Sequence, residues 1–190
     1  MTTPPLVALE RLMAGNRRFV AGQLRHPHGD ARHREHVAEA QHPIAIVVCC
    51  SDSREVPELI FDCGLGDLFV VRTAGHCVGE TALASVEFGA MVLGVELVVV
   101  LGHTKCGAVA ATLSARHELD APAGHIPALL HMIRPAMDEA LISTPEHDLP
   151  EAVMRIHVRR TAAALADIPS KPLVVGGRYD LATGDVRILS

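Results

Sequence analysis

The chain has 190 residues, 49% of them hydrophobic, enough to bury one domain core without requiring a second. Its formal net charge of −5 and pI near 6.2 give no basic field for nucleic acid, and no apolar stretch approaches the roughly eighteen residues of a membrane span. The opening MTTPPLVALERL lacks the segments of a secretory signal. Five cysteines, an odd number in a chain too long to need disulfide staples, point to free thiols or metal ligands. A soluble protein of the reducing cytoplasm, with no membrane or nucleic-acid partner, is expected.

Residues 5 to 21 place Leu6, Leu9, Leu12, Met13, Phe19 and Val20 at helical spacing, which predicts an amphipathic helix. From Gly22 to His42 the chain is polar and rich in His and Arg, with a second short helix expected around Ala31 to Ala40. Residues 1–42 read as an N-terminal helical arm whose narrow apolar stripe must lie on its own core or on a neighbouring subunit, so dimerisation is expected. His26, His28, His33 and His36 read as a solvated face.

After Ile44 short apolar runs alternate with helical stretches. Strands are predicted at Ile44 to Cys49, Leu68 to Arg72, Leu97 to Leu101, Leu173 to Val175 and, at an edge, Val186 to Leu189. Helices are predicted at Thr81 to Leu93, Cys106 to His117, Ile126 to Leu141 and Pro150 to Ala166. Unbroken hydrophobicity in the strands implies burial on both faces. The fold class is α/β, a single domain over residues 43–190 with a central, mainly parallel sheet flanked by helices.

In such sheets ligands bind beyond the carboxyl ends of the strands. IAIVV runs into Cys49, Cys50, Ser51, Asp52, Ser53 and Arg54, and LVVVLG runs into His103, Thr104, Lys105 and Cys106. Two thiolates and an imidazole, from Cys50, His103 and Cys106, form a tetrahedral zinc set with a fourth position open unless Asp52 closes it. Free cysteine is also a common core residue, and an isolated HxxC arises often by chance. The pair is more specific because Asp52 and Arg54, two apart at a strand end, are suited to a mutual ion pair. Cys49 points to the opposite face from Cys50 and, with Cys63 and Cys77, reads as a core or loop thiol.

CSDSR followed by GHTKCGA, with FDCGLGDLFVVRTAGH between them, resembles the β-class carbonic anhydrases. The resemblance implies Zn²⁺ on Cys50, His103 and Cys106, Asp52 and Arg54 as a catalytic dyad, and hydration of carbon dioxide to bicarbonate and a proton by zinc-bound hydroxide. It also implies an arm that embraces a partner in a homodimer or dimer of dimers. By position in the motif the resemblance makes Phe69, Phe88 and Gly107 substrate-pocket residues and Gln41 the glutamine contributed across the subunit interface. From the sequence itself Phe69, in an apolar strand, and Phe88, in an apolar helix, read as core residues, and Gln41 as a polar loop residue.

The sequence departs from the family at three places. Phe88 stands where relatives often have Tyr, and the stretch between Ala166 and Lys171 is short. Glu55 replaces the usual Val; it is expected to be a solvent-facing carboxylate at a helix start, close enough to compete for Arg54. Proton export falls to His76 or to buffer. Two alternatives are a non-catalytic zinc or thiol sensor with Asp52 closing the site, and a hydrolase of carbon disulfide or carbonyl sulfide.

Overall fold

The apolar runs form the middle of a five-stranded sheet. The computed structural model describes residues 3–116 and 123–189, with strands β1 (Ala45–Cys50), β2 (Leu68–Thr73), β3 (Leu97–His103), β4 (Leu173–Tyr179) and β5 (Val186–Leu189). Their order is β2-β1-β3-β4-β5, the first four parallel and β5 antiparallel to β4. Every residue of β1 and β3 is buried, as their unbroken apolar sequences require of strands covered on both faces. Each expected strand is present, and β1, β3 and β4 run past their predicted ends to Cys50, His103 and Tyr179.

Among the described residues seven α-helices flank the sheet: α1 (Pro5–Val20), α2 (Ala31–Val37), α3 (Pro57–Ile60), α4 (Glu80–Glu87), α5 (Gly107–Ser114), α6 (Ile126–Leu141) and α7 (Leu149–Ala166). On one face Cys50, Val98 and Val100 pack with Ile133, Met137, Met154 and Val158 of α6 and α7. On the other, Val47, Cys49 and Val99 pack with Ala8, Leu12, Ile60 and Phe61. The two adjacent cysteines therefore enter different cores, as the alternation of a strand requires. Among the described residues no helix is long and apolar enough to cross a membrane.

The arm lies on its own chain. Gly15 touches Phe61 so closely that a Cβ would fall on its carbonyl oxygen, and Asn16 donates to the Ile60 and Gly184 carbonyls while accepting the Val186 N–H. Asp62 then accepts Arg18 Nε at 2.6 Å and the main-chain N–H groups of Arg25 and His26 at 3.0 Å. Of the four histidines expected to be solvated, His26 and His36 are exposed, while His28 Nδ1 meets Asp67 at 2.9 Å and His33 Nε2 meets the Leu65 carbonyl at 2.9 Å. α2 buries none of its residues and stops at Val37, short of the expected Ala40, because no packing extends it.

The helix expected at Thr81 to Leu93 is α-helical only to Glu87 and continues as a π turn, Phe88–Val92. Within that turn Gly89 sits against β1, where a Cβ would stand 2.8 Å from Ile46 Cδ1. The helix expected to reach His117 is α5, and His117 itself lies outside the described residues. After α7 the short segment turns at once, with Ile168 buried and the Lys171 N–H donating to its carbonyl at 3.0 Å.

Candidate metal centre

β1 and β3 are neighbours, and their pairing ends at Val48 and Val100. Beyond that point β1 delivers Cys50 and β3 delivers His103. Lys105, in a left-handed conformation (φ 56°), then reverses the chain so that Cys106 caps the start of α5. The ligand atoms of Cys50, His103 and Cys106 all lie within 4.8 Å of one another, and all three residues are buried. Among the described residues this is the one cluster of His, Cys, Asp and Glu able to hold a metal ion.

The local chemistry prepares these atoms. His103 Nδ1 donates to the Thr104 carbonyl at 2.9 Å, which leaves the lone pair on Nε2, and Nε2 is buried without a hydrogen-bond partner. The hydrogen bond from Cys106 is the largest influence pushing the Cys50 thiol down to about 4, and His103 and the Gly75 and Asp52 N–H groups act in the same direction. That same bond, with burial, pushes Cys106 up.

Asp52 and Arg54 form the pair expected of them. Arg54 Nε reaches Oδ1 at 2.9 Å and Nη2 reaches Oδ2 at 2.7 Å, a two-pronged contact that holds the Asp52 carboxyl well below the usual carboxylate range. Oδ2 remains 3.9 Å from His103 Nε2. From β2, Arg72 secures the loop by donating to the Cys50 carbonyl at 3.1 Å and the Asp52 carbonyl at 2.8 Å.

Glu55 corrects the sequence reading. It is fully buried (0% exposed), with Oε2 accepting the Cys50 N–H at 2.7 Å, and burial pushes its carboxyl up to about 8. The helix that follows starts only at Pro57, and the Glu55 N–H donates to the Asp52 carbonyl in a tight turn that directs the side chain inward. Glu55 consequently faces Cys50, while Arg54 stays with Asp52.

His76 is also wholly enclosed, held neutral by burial, with neither ring nitrogen partnered. Its ring lies tilted against that of His157 with centroids 4.5 Å apart, and its burial leaves it without the contact with solvent that proton export needs. The sequence reading missed His157 of α7 and Gly75. His157 Nε2 donates to the Gly75 carbonyl at 3.1 Å, and the Gly75 N–H donates to Cys50 Sγ at 3.2 Å. Sequence separation hid them; the glycine of RTAGH was the available signal, and it marks a left-handed turn (φ 64°).

Of the expected pocket residues, Phe69 and Phe88 come together with ring centroids 6.3 Å apart, and Phe88 is 48% exposed. Gly107 begins α5 beside Cys106, and a Cβ there would meet no atom within 4 Å. Gln41 is exposed in a groove with Arg34, Val37 and Leu65, apart from the metal cluster within one chain.

A buried thiol–imidazole–thiol cluster at the carboxyl ends of two parallel strands, flanked by an arginine-held carboxylate, defines an α/β metalloenzyme site. The family model for carbonic anhydrase matches residues 45–186. The carbonic anhydrase of Mycolicibacterium smegmatis is 41% identical over 98% of this chain and 94% of its own length. Carbonic anhydrase 2 of Mycobacterium tuberculosis is 45% identical over 71% of this chain and 65% of its own. Among solved structures, the Coccomyxa β-carbonic anhydrase in complex with acetazolamide superposes with a TM-score of 0.76 at 25% identity, over 95% of this chain and 86% of that one. The chain belongs to the β-class carbonic anhydrase family, whose reaction is the reversible hydration of carbon dioxide.

Proposed function

We propose that the chain binds one Zn²⁺ through Cys50 Sγ, His103 Nε2 and Cys106 Sγ and hydrates carbon dioxide there, with Asp52 and Arg54 as the working dyad. The observation that carries this is the convergence of three buried ligand atoms within 4.8 Å around an imidazole nitrogen whose lone pair has no other partner. The donor set fits zinc, which takes Cys and His in tetrahedral sites and keeps one position open when three protein ligands bind it. When bound, zinc lowers the pKa of a water in that position to about 7, so that a nucleophile is available near neutrality.

The chain's own residues supply the rest. Asp52, kept ionised by Arg54, offers only acceptor oxygens, and Oδ2 takes the hydrogen bond of the attacking water and turns its lone pair toward carbon dioxide. By engaging both carboxylate oxygens, Arg54 keeps Asp52 out of the ligand set. Phe69, Phe88 and Gly107 form the small apolar wall suited to a substrate with little to hydrogen-bond. Gln41 is offered by the arm of a partner subunit.

Residues 1–42 serve as the dimerising arm of the catalytic domain over 43–190, in a homodimer or dimer of dimers. Exposed Leu6 and Val7 on α1, with Phe88, Met91 and Val92 on the π turn, support that assembly. Five free thiols suit a reducing, cytoplasmic setting.

Zinc analysis and stopped-flow carbon dioxide hydration, run on the native chain and on Cys106→Ala, test the reading. One zinc per native chain is expected, with both metal and rate lost in the variant. Stoichiometric zinc in Cys106→Ala would remove that residue from the ligand set.

A further inference from the structure

We propose that Glu55 is a positioning residue for the metal ligand Cys50, fixing the end of β1 through the Cys50 main-chain N–H. The inference rests on the reading that Cys50, His103 and Cys106 hold the metal. β1 stays paired with β2 through Cys50 and Thr73, but its pairing with β3 ends at Val48 and Val100, so Cys50 has a strand neighbour on one side only at the point where its sulfur must be held still. Oε2 of Glu55 accepts the N–H there at 2.7 Å. Arg72 Nε donates to the carbonyl of the same residue at 3.1 Å, and the Gly75 and Asp52 N–H groups donate to its sulfur at 3.2 and 3.4 Å. Cys50 is thus held at its nitrogen, its carbonyl and its sulfur by separate groups, and Glu55 alone holds the nitrogen.

Packing does not account for a glutamate in this position. A wholly enclosed carboxyl is costly to bury, and Oε1 has no protein partner to offset that cost. An aliphatic side chain would fill the volume without the penalty. A residue that weakens the core directly behind a ligand is best explained by what it does to that ligand. An acceptor oxygen is the property required, and a carboxyl supplies one in either protonation state.

Native protein, Glu55→Leu and Glu55→Gln separate these roles. Zinc affinity is read by competition with a chelator, ligand geometry by the thiolate-to-cobalt absorption of the cobalt-substituted proteins, and folding by thermal melts. Glu55→Leu fills the space without an acceptor and is expected to bind zinc about 10- to 100-fold more weakly, with a displaced cobalt band and no loss of thermal stability. Glu55→Gln keeps an acceptor oxygen and should stay within about twofold of native affinity, with the native band. If the leucine variant does not fold, Glu55→Val replaces it with the same expectation.

Native affinity and an unchanged band in Glu55→Leu would reduce Glu55 to a space-filling residue and overturn the proposal. Equal impairment of Glu55→Gln would overturn it differently, by showing that charge and not the acceptor matters. Native protein that took up neither ion would bring down the ligand reading itself, and this inference with it.

Discussion

The two strand ends that meet at the proposed metal centre are held by different means. The end of β3 is supported by its own main chain and by the ladder to β4. His103 is oriented by the carbonyl of the next residue, Cys106 opens the adjoining helix, and the Thr104 N–H continues the ladder to the Tyr179 carbonyl at 3.0 Å. The end of β1 is supported from a distance: Cys50 depends on Glu55, on Arg72 of β2, and on Gly75, itself anchored by His157 of α7. Main-chain support leaves few ways to alter His103 and Cys106 short of removing them. Distributed support makes Cys50 the proposed ligand that the rest of the fold can adjust.

Removing a ligand should erase the contrast altogether. Cys106→Ala is expected to weaken zinc binding by more than about 100-fold, beyond the range for loss of an outer hydrogen-bond partner, and hydration should fall with it. Arg54→Ala sharpens the contrast, because it touches the loop after β1 without touching a ligand. Zinc should be retained while turnover drops about 100-fold, as loss of an oriented proton acceptor would give. A near-native rate in stopped-flow hydration would leave the Asp52–Arg54 pair purely structural.

The same contrast decides what the sequence could reveal. His103 and Cys106 sit three apart at the end of an unbroken apolar run, and Cys50 ends another, so both strand ends and the α/β class were legible from ligand types and strand patterning. The Asp52–Arg54 pair was legible for the same reason, being two residues apart in a loop. Glu55 was not. Its position beside a helix start suggests exposure, and only the turn onto Asp52 and the late beginning of α3 at Pro57 bury it. His157 was illegible for a different reason: its partner, Gly75, is met only after α7 packs back against β3 and β4. Local chemistry is readable from sequence; support that depends on the assembled core is not.

The anchor on α7 leaves a signature in pH. His157 ionises near 6.5 when unfolded, but burial pushes it down to about 4 in the folded chain, so the unfolded state takes up its proton first as pH falls. The stability this group contributes is full above pH 6.5 and is lost as pH falls through 6.5 toward 4. His76, displaced in the same direction, adds to the trend. Between pH 7 and 5 native protein should lose about 1–2 kcal/mol more than His157→Gln, measured by urea unfolding of both in the same buffers so that metal release is common to them. Equal losses would mean that His157 is not held neutral.

The smallest effect is expected at the end of β3, where the main chain orients the histidine. Thr104 Oγ1 accepts the Leu181 N–H at 3.1 Å, tying the loop after β3 to the turn after β4, while the Thr104 carbonyl that orients His103 belongs to the main chain. Thr104→Val removes the hydroxyl, keeps the branched shape and leaves that carbonyl in place. It should therefore cost about 1 kcal/mol of stability in thermal or urea unfolding, with zinc affinity unchanged. A tenfold loss of zinc affinity in this variant would show that the β3 end also relies on side-chain support beyond its ligands, and the asymmetry between the two strand ends would fail.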